Sequence, residues 1–292
     1  MKLTAHSETG KLHSVMIKKA AEAFVSDANT EKYWRPLNYT RKPGFEKAIE
    51  EYNNFENIFT SRGIEVKYLP ADPSVNIDSI YCRDASIATN AGVILCNMGK
   101  EARKNEPAAQ RMAFEKYGAP ILGEITTPGT VEGGDVAWLD ECTLAAGYTY
   151  RTNAAGLQQL QAFLKPLGVT VLTVPLPHYK GPSDVFHLMS VFSPVNTNLA
   201  VVYSPLMPVQ FRNELLDRGY TLVEVPGDEF ELMGCNVLAL APGECLMVEG
   251  NPKTQAALEK AGYRVITYRG DEISIKGGGG PTCLTRPLAR YS

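Results

Sequence analysis

DVAWLDECTLAAGYTYRTNAAGLQQLQAFLKPLGVTVLTVP, from Asp135 to Pro175, holds a complete structural unit in one stretch. Two short apolar runs around a turn read as a pair of strands. The amphipathic segment AGLQQLQAFLKPLG then reads as a helix, and Gly168 suits the left-handed position that stops one. VTVLTVP follows as a strand closed by proline.

The same layout recurs, and such internal repetition decides architecture before any single motif does. SIATNAGVILC leads to a helix near AAQRMAFEKYG and the strand APILGEI; VFSPVNTNLAVVY leads to VQFRNELLDRG and YTLVEVP; NVLALAPGECLMV leads to KTQAALEKAG and YRVITY. A fifth unit is split between the termini, with LHSVMIKK, a long helix near FEKAIEEYNNFENIFTSRG and IEVKYLP in front and CLTRPL closing it from behind. Gly63, Gly118, Gly168, Gly219 and Gly262 end the helices at spacings of 55, 50, 51 and 43 residues. Five ββαβ units must bury their strands against one another. The economical arrangement is an α/β ring, strands inward and helices outside, with the last strand meeting the first.

That closure bears on GGGGPTCLTRP, Gly277 to Pro287, which otherwise reads as a flexible tail carrying an incidental cysteine. In a closed ring the segment has a structural place, and Cys283 is interior.

Composition narrows the function classes. The 292 residues are 44% hydrophobic and 21% charged, those of an ordinary globular chain, and the formal net charge is −3. With no basic stripe, nucleic acid and anionic membrane are poor partners. The N-terminal sequence lacks the apolar core of a signal peptide, so a cytoplasmic location with all six cysteines as thiols is expected. No C-x-x-C or H-E-x-x-H spacing marks a zinc site, and no metal or cofactor is expected.

Equivalent loops in a ring of similar units converge near its axis. Counting onward from each helix-ending glycine reaches Asp84 at +21, Glu132 at +14, His187 at +19, Asn236 at +17 and Cys283 at +21. Two carboxylates, an imidazole, an amide and a thiol make a nucleophile, a proton carrier and anchors for a cation. Alone, each has an inert reading: Glu132 as an exposed hairpin acid, His187 in "SDVFHLMSVF" as a core histidine, Cys283 as a small buried hydrophobe. Coincidence of position across the units favours chemistry. Cys82 reads as an inert strand cysteine, His178 as a surface residue, and Asn38 and Tyr39 as a flap over the site or a plain connection.

In combination and order, "IYCRDAS", "VEGGDV" with "GYTYRTN", "FHLMS", "GCNVLAL" and the late cysteine resemble the guanidino-group-modifying enzymes of the pentein fold. These include arginine deiminases, amidinotransferases and dimethylarginine dimethylaminohydrolases. The resemblance implies a five-fold pseudosymmetric ββαβ propeller forming one catalytic domain over residues 1–292, acting on a small guanidino substrate without cofactor, and it allows a homodimer. By the same resemblance Cys283 is the nucleophile, His187 the general acid/base and Glu132 its partner carboxylate. Asp84 and Asp78 hold the guanidinium, and Arg103 and Arg151 receive a substrate α-carboxylate.

The residue types fit that chemistry. A guanidinium is cationic and only donates hydrogen bonds, so it needs carboxylate acceptors, and its delocalised carbon needs a strong nucleophile such as a thiolate. Arginine deiminases resemble H-x-D at the histidine, where this chain has Met189. Fewer acids suit a methylated guanidinium, so dimethylarginine hydrolysis is preferred. Arg83 before Asp84 looks more deiminase-like, which keeps arginine deimination or dihydrolysis as the runner-up. Amidino transfer stands third, and a non-catalytic pentein binding protein is the alternative from another class.

Overall fold

A computed structural model describes residues 3–291, which form fifteen strands in five three-stranded sheets. β1 (Lys11–Ile17) pairs in parallel with β2 (Glu65–Tyr68). β3 (Ser86–Ala88), β4 (Val93–Leu95) and β5 (Ile121–Glu124) make the second sheet. β6 (Val136–Asp140), β7 (Thr143–Tyr148) and β8 (Thr170–Pro175) make the third. β9 (Phe192–Asn196), β10 (Leu199–Val202) and β11 (Thr221–Glu224) make the fourth. β12 (Leu238–Ala241), β13 (Glu244–Val248) and β14 (Arg264–Tyr268) make the fifth. β15 (Thr285–Tyr291) returns to pair antiparallel with β1, so the terminal sheet is assembled from both ends of the chain.

Each sheet has the same logic. Its middle strand pairs antiparallel with one neighbour and parallel with the other. A parallel partner requires a crossover, which a helix supplies. The crossovers are Phe45–Thr60, Glu106–Lys116, Ala154–Leu164, Val209–Asp217 and Pro252–Lys260. All five helix-ending glycines have positive φ, between 67° and 88°, a conformation that side-chain-bearing residues resist.

The sheets are joined by side chains. Five apolar clusters each straddle two sheets: Ile87 and Ile94 with Val136 and Leu144; Ala137 and Ala145 with Phe192 and Val202; Val195 and Val201 with Val237 and Met247; Leu238 and Leu246 with Val15 and Ile17; and Met16 and Leu288 with Val93 and Leu95. Full burial of each such Val, Leu or Ile contributes roughly 1.5–3 kcal/mol. Among the described residues no pairing between these strands links one sheet to another, so this is not a barrel closed by backbone hydrogen bonds. What is established is a mixed α/β fold of five small sheets.

The arrangement places the candidate residues consistently. Asp84, Glu132, His187, Asn236 and Cys283 each lie just before the first strand of a unit: β3, β6, β9, β12 and β15. Gly277, Gly279 and Gly280 of the glycine run are packed against neighbours. A Cβ on Gly277 would fall 2.0 Å from the Tyr81 hydroxyl, and one on Gly280 would fall 2.5 Å from Asn236 Oδ1.

Candidate active site

His187 Nε2 and Glu132 Oε2 are 2.8 Å apart, and both side chains are buried. Burial works against a charged imidazole, but Asp135, Asp84 and Glu132 outweigh it and raise the His187 pKa to about 9. Burial also works against the Glu132 carboxylate, yet its bond to His187 and the charges of His187, Arg151 and Arg103 hold it down at about 2. At neutral pH the pair is therefore imidazolium and carboxylate. A charged acid waits beside its orienting base.

Glycine makes this geometry possible. A Cβ on Gly134 would lie 2.5 Å from His187 Nδ1 and 2.7 Å from Asp84 Oδ1. The backbone amide of Lys100 donates to Glu132 Oε1 at 2.9 Å, fixing the other oxygen of that carboxylate.

Asp84 divides its oxygens. Oδ2 accepts from Arg103 Nη1 at 2.6 Å, whereas Oδ1 is buried without a hydrogen-bonding partner and lies 4.0 Å from His187 Nδ1. A buried carboxylate oxygen lacking a donor is costly unless a ligand supplies one. Asp78 accepts from Lys100 Nζ at 2.7 Å. Arg151 Nη1 lies 3.6 Å from Glu132 Oε1, and Arg151 Nε is buried without an acceptor.

Cys283 accepts a hydrogen bond from Asn236 Nδ2 at 3.4 Å, while Asn236 Oδ1 accepts from the amide and hydroxyl of Thr282. The backbone amide of Arg83 donates to the Cys283 carbonyl. Burial, with the nearby Asp84 charge, pushes the thiol above its ordinary pKa, against the Thr282 and Asn236 hydrogen bonds. Cys283 therefore rests as a thiol, and a cation bound beside it would favour the thiolate.

Two cavities meet at this sulfur. One, of about 20 Å³, is lined by Asp78, Asp84, Lys100, Arg103, Arg151 and Cys283 among others. The second, of about 170 Å³, reaches from His187 and Cys283 past Met189 and Phe186 to Asn38. The structure thus brings together all eight sequence-selected residues, Asn236 among them through its contact to the sulfur.

A family model described as N,N dimethylarginine dimethylhydrolase, eukaryotic, matches residues 20–290. The chain belongs to this family. The uncharacterized protein YkgA of Bacillus subtilis is 28% identical over 291 residues, 99% of this chain and 96% of its own. The N(G),N(G)-dimethylarginine dimethylaminohydrolase of Streptomyces coelicolor is 30% identical over 239 residues, 82% of this chain and 84% of its own. A solved structure of DDAH from Pseudomonas aeruginosa complexed with citrulline shares the fold, with a TM-score of 0.77 at 23% identity over 96% of this chain and all of that one. Proteins named arginine deiminase are also similar in sequence.

Within this chain, Arg103 and Arg83 occupy places that the sequence did not foretell. Arg103 is not turned toward open space: Nε and Nη2 bind Glu106, Nη1 binds Asp84, and Nη2 also reaches the Tyr81 carbonyl. A buried guanidinium takes the acceptors within reach, and here they are protein acids. Arg83 turns to Glu8, at 2.7 Å, and lines neither of the two cavities despite its deiminase-like position. Cys82 is buried and its thiol is pushed up to about 12, as an inert cysteine requires. His178 is exposed and meets the Tyr150 hydroxyl. Asn38 donates to the Ser183 carbonyl across the larger cavity, and Tyr39 is buried against Tyr81.

Asp135 and Lys100 were not singled out from sequence. Asp135 accepts from the Thr149 and Thr152 hydroxyls and from the Leu188 amide next to His187, and burial lifts its pKa to about 6 against the His187 charge. The acid directly after two glycines and at the start of a strand was the available signal. Asp84, Glu132 and His187 offer atoms within 4.8 Å of one another, a spacing that suits a cation. A metal there would have to displace the His187 proton and its bond to Glu132, whereas a guanidinium would use both.

Proposed function

We propose that this chain hydrolyses the guanidino group of a methylated arginine, giving citrulline and a methylamine, with asymmetric dimethylarginine as the preferred substrate. The observation that carries the reading is the unpartnered Asp84 Oδ1, buried 4.0 Å from the His187 imidazolium in a site that Cys283 lines. An acceptor without a donor, a charged acid and a thiol are the three things a guanidinium needs. Arg151, with its free Nε, receives the α-carboxylate; Arg103 stands beside it and holds Asp84, and Asp78, its Oδ2 already bound by Lys100, is the further acid on the guanidinium side.

In the first half-reaction the Cys283 thiol loses its proton to solvent as the substrate cation binds. The thiolate bonds to the guanidinium carbon, and an electron pair shifts onto nitrogen. His187 gives its proton to the dimethylated nitrogen, that C–N bond breaks, and dimethylamine leaves a thiouronium on sulfur. In the second, neutral His187 takes a proton from water while the oxygen adds to the same carbon. The C–S bond then breaks to release citrulline and thiolate, and the departing hydroxyl proton passes to the medium. Glu132 orients the imidazole throughout.

The site is supported by a reading of the five sheets as a pentein propeller, strands inward and helices outside, in one catalytic domain over residues 1–292. A homodimer is compatible with it and is read by light scattering. Arginine deimination or dihydrolysis is the second reading, favoured by the deiminase-named relatives.

The test is incubation with arginine, asymmetric dimethylarginine and agmatine, with products identified by mass spectrometry. Citrulline with dimethylamine supports the first reading. Citrulline or ornithine from arginine alone supports the second, and no turnover of any of them sinks both.

A further inference from the structure

Lys100 lies in the small cavity beside Cys283 and has no part in the reaction described above. Its Nζ donates to Asp78 Oδ2 at 2.7 Å and to the Leu37 carbonyl at 3.1 Å, tying the segment before Asn38 to the acid. Its own amide holds Glu132 Oε1.

The consequence is competition for acceptors. Glu132 already takes the Lys100 amide on one oxygen and His187 on the other. Asp84 Oδ2 is taken by Arg103 and Asp78 Oδ2 by Lys100. Asp84 Oδ1 stands unpartnered. The charged groups lining this cavity are Asp78 and Asp84 against Lys100, Arg103 and Arg151, so a further cation gains little from net charge and must be recognised by individual bonds.

A guanidinium with a dimethylated nitrogen has lost two N–H donors relative to arginine, and each donor buried without an acceptor weakens binding substantially. We infer that Lys100 is a specificity-determining residue: by engaging Asp78 Oδ2 with an internal ammonium, it lowers the acceptor capacity of this acid and selects guanidines with fewer N–H donors over free arginine. Methylation is then read through the acceptor that the lysine withholds, in addition to any space left for the methyl groups. This inference rests on the guanidino-hydrolase reading.

The experiment compares kcat/KM for arginine and for asymmetric dimethylarginine in the wild type, Lys100→Met and Lys100→Arg. Lys100→Met is expected to raise the arginine-to-dimethylarginine ratio about tenfold or more, and Lys100→Arg, which restores a cation, to stay near the wild-type ratio. Should the methionine variant not fold, Lys100→Gln, which keeps a donor for the Leu37 carbonyl, is read the same way. A neutral variant that turns over both substrates at the wild-type ratio overturns the inference, as does a wild type that prefers arginine. A wild type that turns over neither guanidine instead sinks the hydrolase reading itself.

Discussion

Glu132 Oε2 sits 2.8 Å from His187 Nε2 with both groups buried, so neither charge can be removed without stranding the other. Glu132→Gln keeps the shape and deletes the charge. His187 then loses one of the three carboxylates that hold its pKa near 9, and the proton needed by the leaving amine becomes less available at neutral pH. The expected result is a fall in kcat of about two to four orders of magnitude, typical of impaired general acid catalysis. A variant with the wild-type kcat would remove Glu132 from the mechanism.

The same pair sets a pH window. The folded His187 pKa is raised to about 9 from 6.5, so its stabilisation is fully present below 6.5 and lost as pH rises through about 9. The folded Glu132 pKa is depressed to about 2 from 4.5, so its share is present above 4.5 and lost as pH falls through about 2. Urea midpoints are expected to fall between pH 7 and pH 9.5 in the wild type and to fall less in His187→Gln. The alkaline limb of kcat is expected near the His187 value, because the deprotonated imidazole cannot donate. An activity still rising well above that limb would contradict the acid assignment.

Cysteine labelling offers a separate check, because the six thiols differ in access. Cys142 is exposed and Cys283 half-buried at the cavities, while Cys82, Cys96, Cys235 and Cys245 are buried. In a Cys142→Ser background, iodoacetamide is expected to modify Cys283 first, with labelling faster at alkaline pH because burial raises that thiol. Loss of activity should track that single modification, and dimethylarginine should protect against it. In Cys283→Ser, turnover should drop at least a thousandfold and the substrate-derived mass adduct should vanish. Inactivation without label on Cys283 would point elsewhere.

Much of this architecture is legible in sequence because it depends on local rules. The five helix-ending glycines mark left-handed positions that the structure contains, and the strand, strand, helix, strand order follows from periodicity on either side of them. Even the split unit was recoverable, since LHSVMIKK and CLTRPL hold most of β1 and the start of β15. The five loop residues emerged through their repeated position. Side-chain partners were less accessible. That Arg103 binds Asp84 and Glu106, that Arg83 goes to Glu8, and that Lys100 binds Asp78 Oδ2 depends on which atoms meet once separate units pack. Charge and spacing along the chain do not determine those meetings.

Gly134 gives the sharpest steric prediction. Its missing side chain leaves room for both His187 Nδ1 and Asp84 Oδ1, which a Cβ would approach at 2.5 Å and 2.7 Å. Neither neighbour can retreat freely. His187 is held through Nε2 by Glu132, and its backbone amide donates to Ser190 Oγ; Asp84 is held through Oδ2 by Arg103. Gly134→Ala must therefore push the imidazole or the carboxylate out of position, and displacements of about 1 Å at reacting groups cost about a hundredfold in rate. The expected variant is folded, destabilised by about 1–3 kcal/mol through overpacking, and slower by a factor of a hundred or more. Gly63→Ala is the control: nothing lies within 4 Å of its added Cβ, and only the positive φ opposes it, so stability should fall while kcat of the folded fraction holds. Equal rate losses in the two variants would mean that activity merely follows stability, and that the space at Gly134 has no special claim on the chemistry.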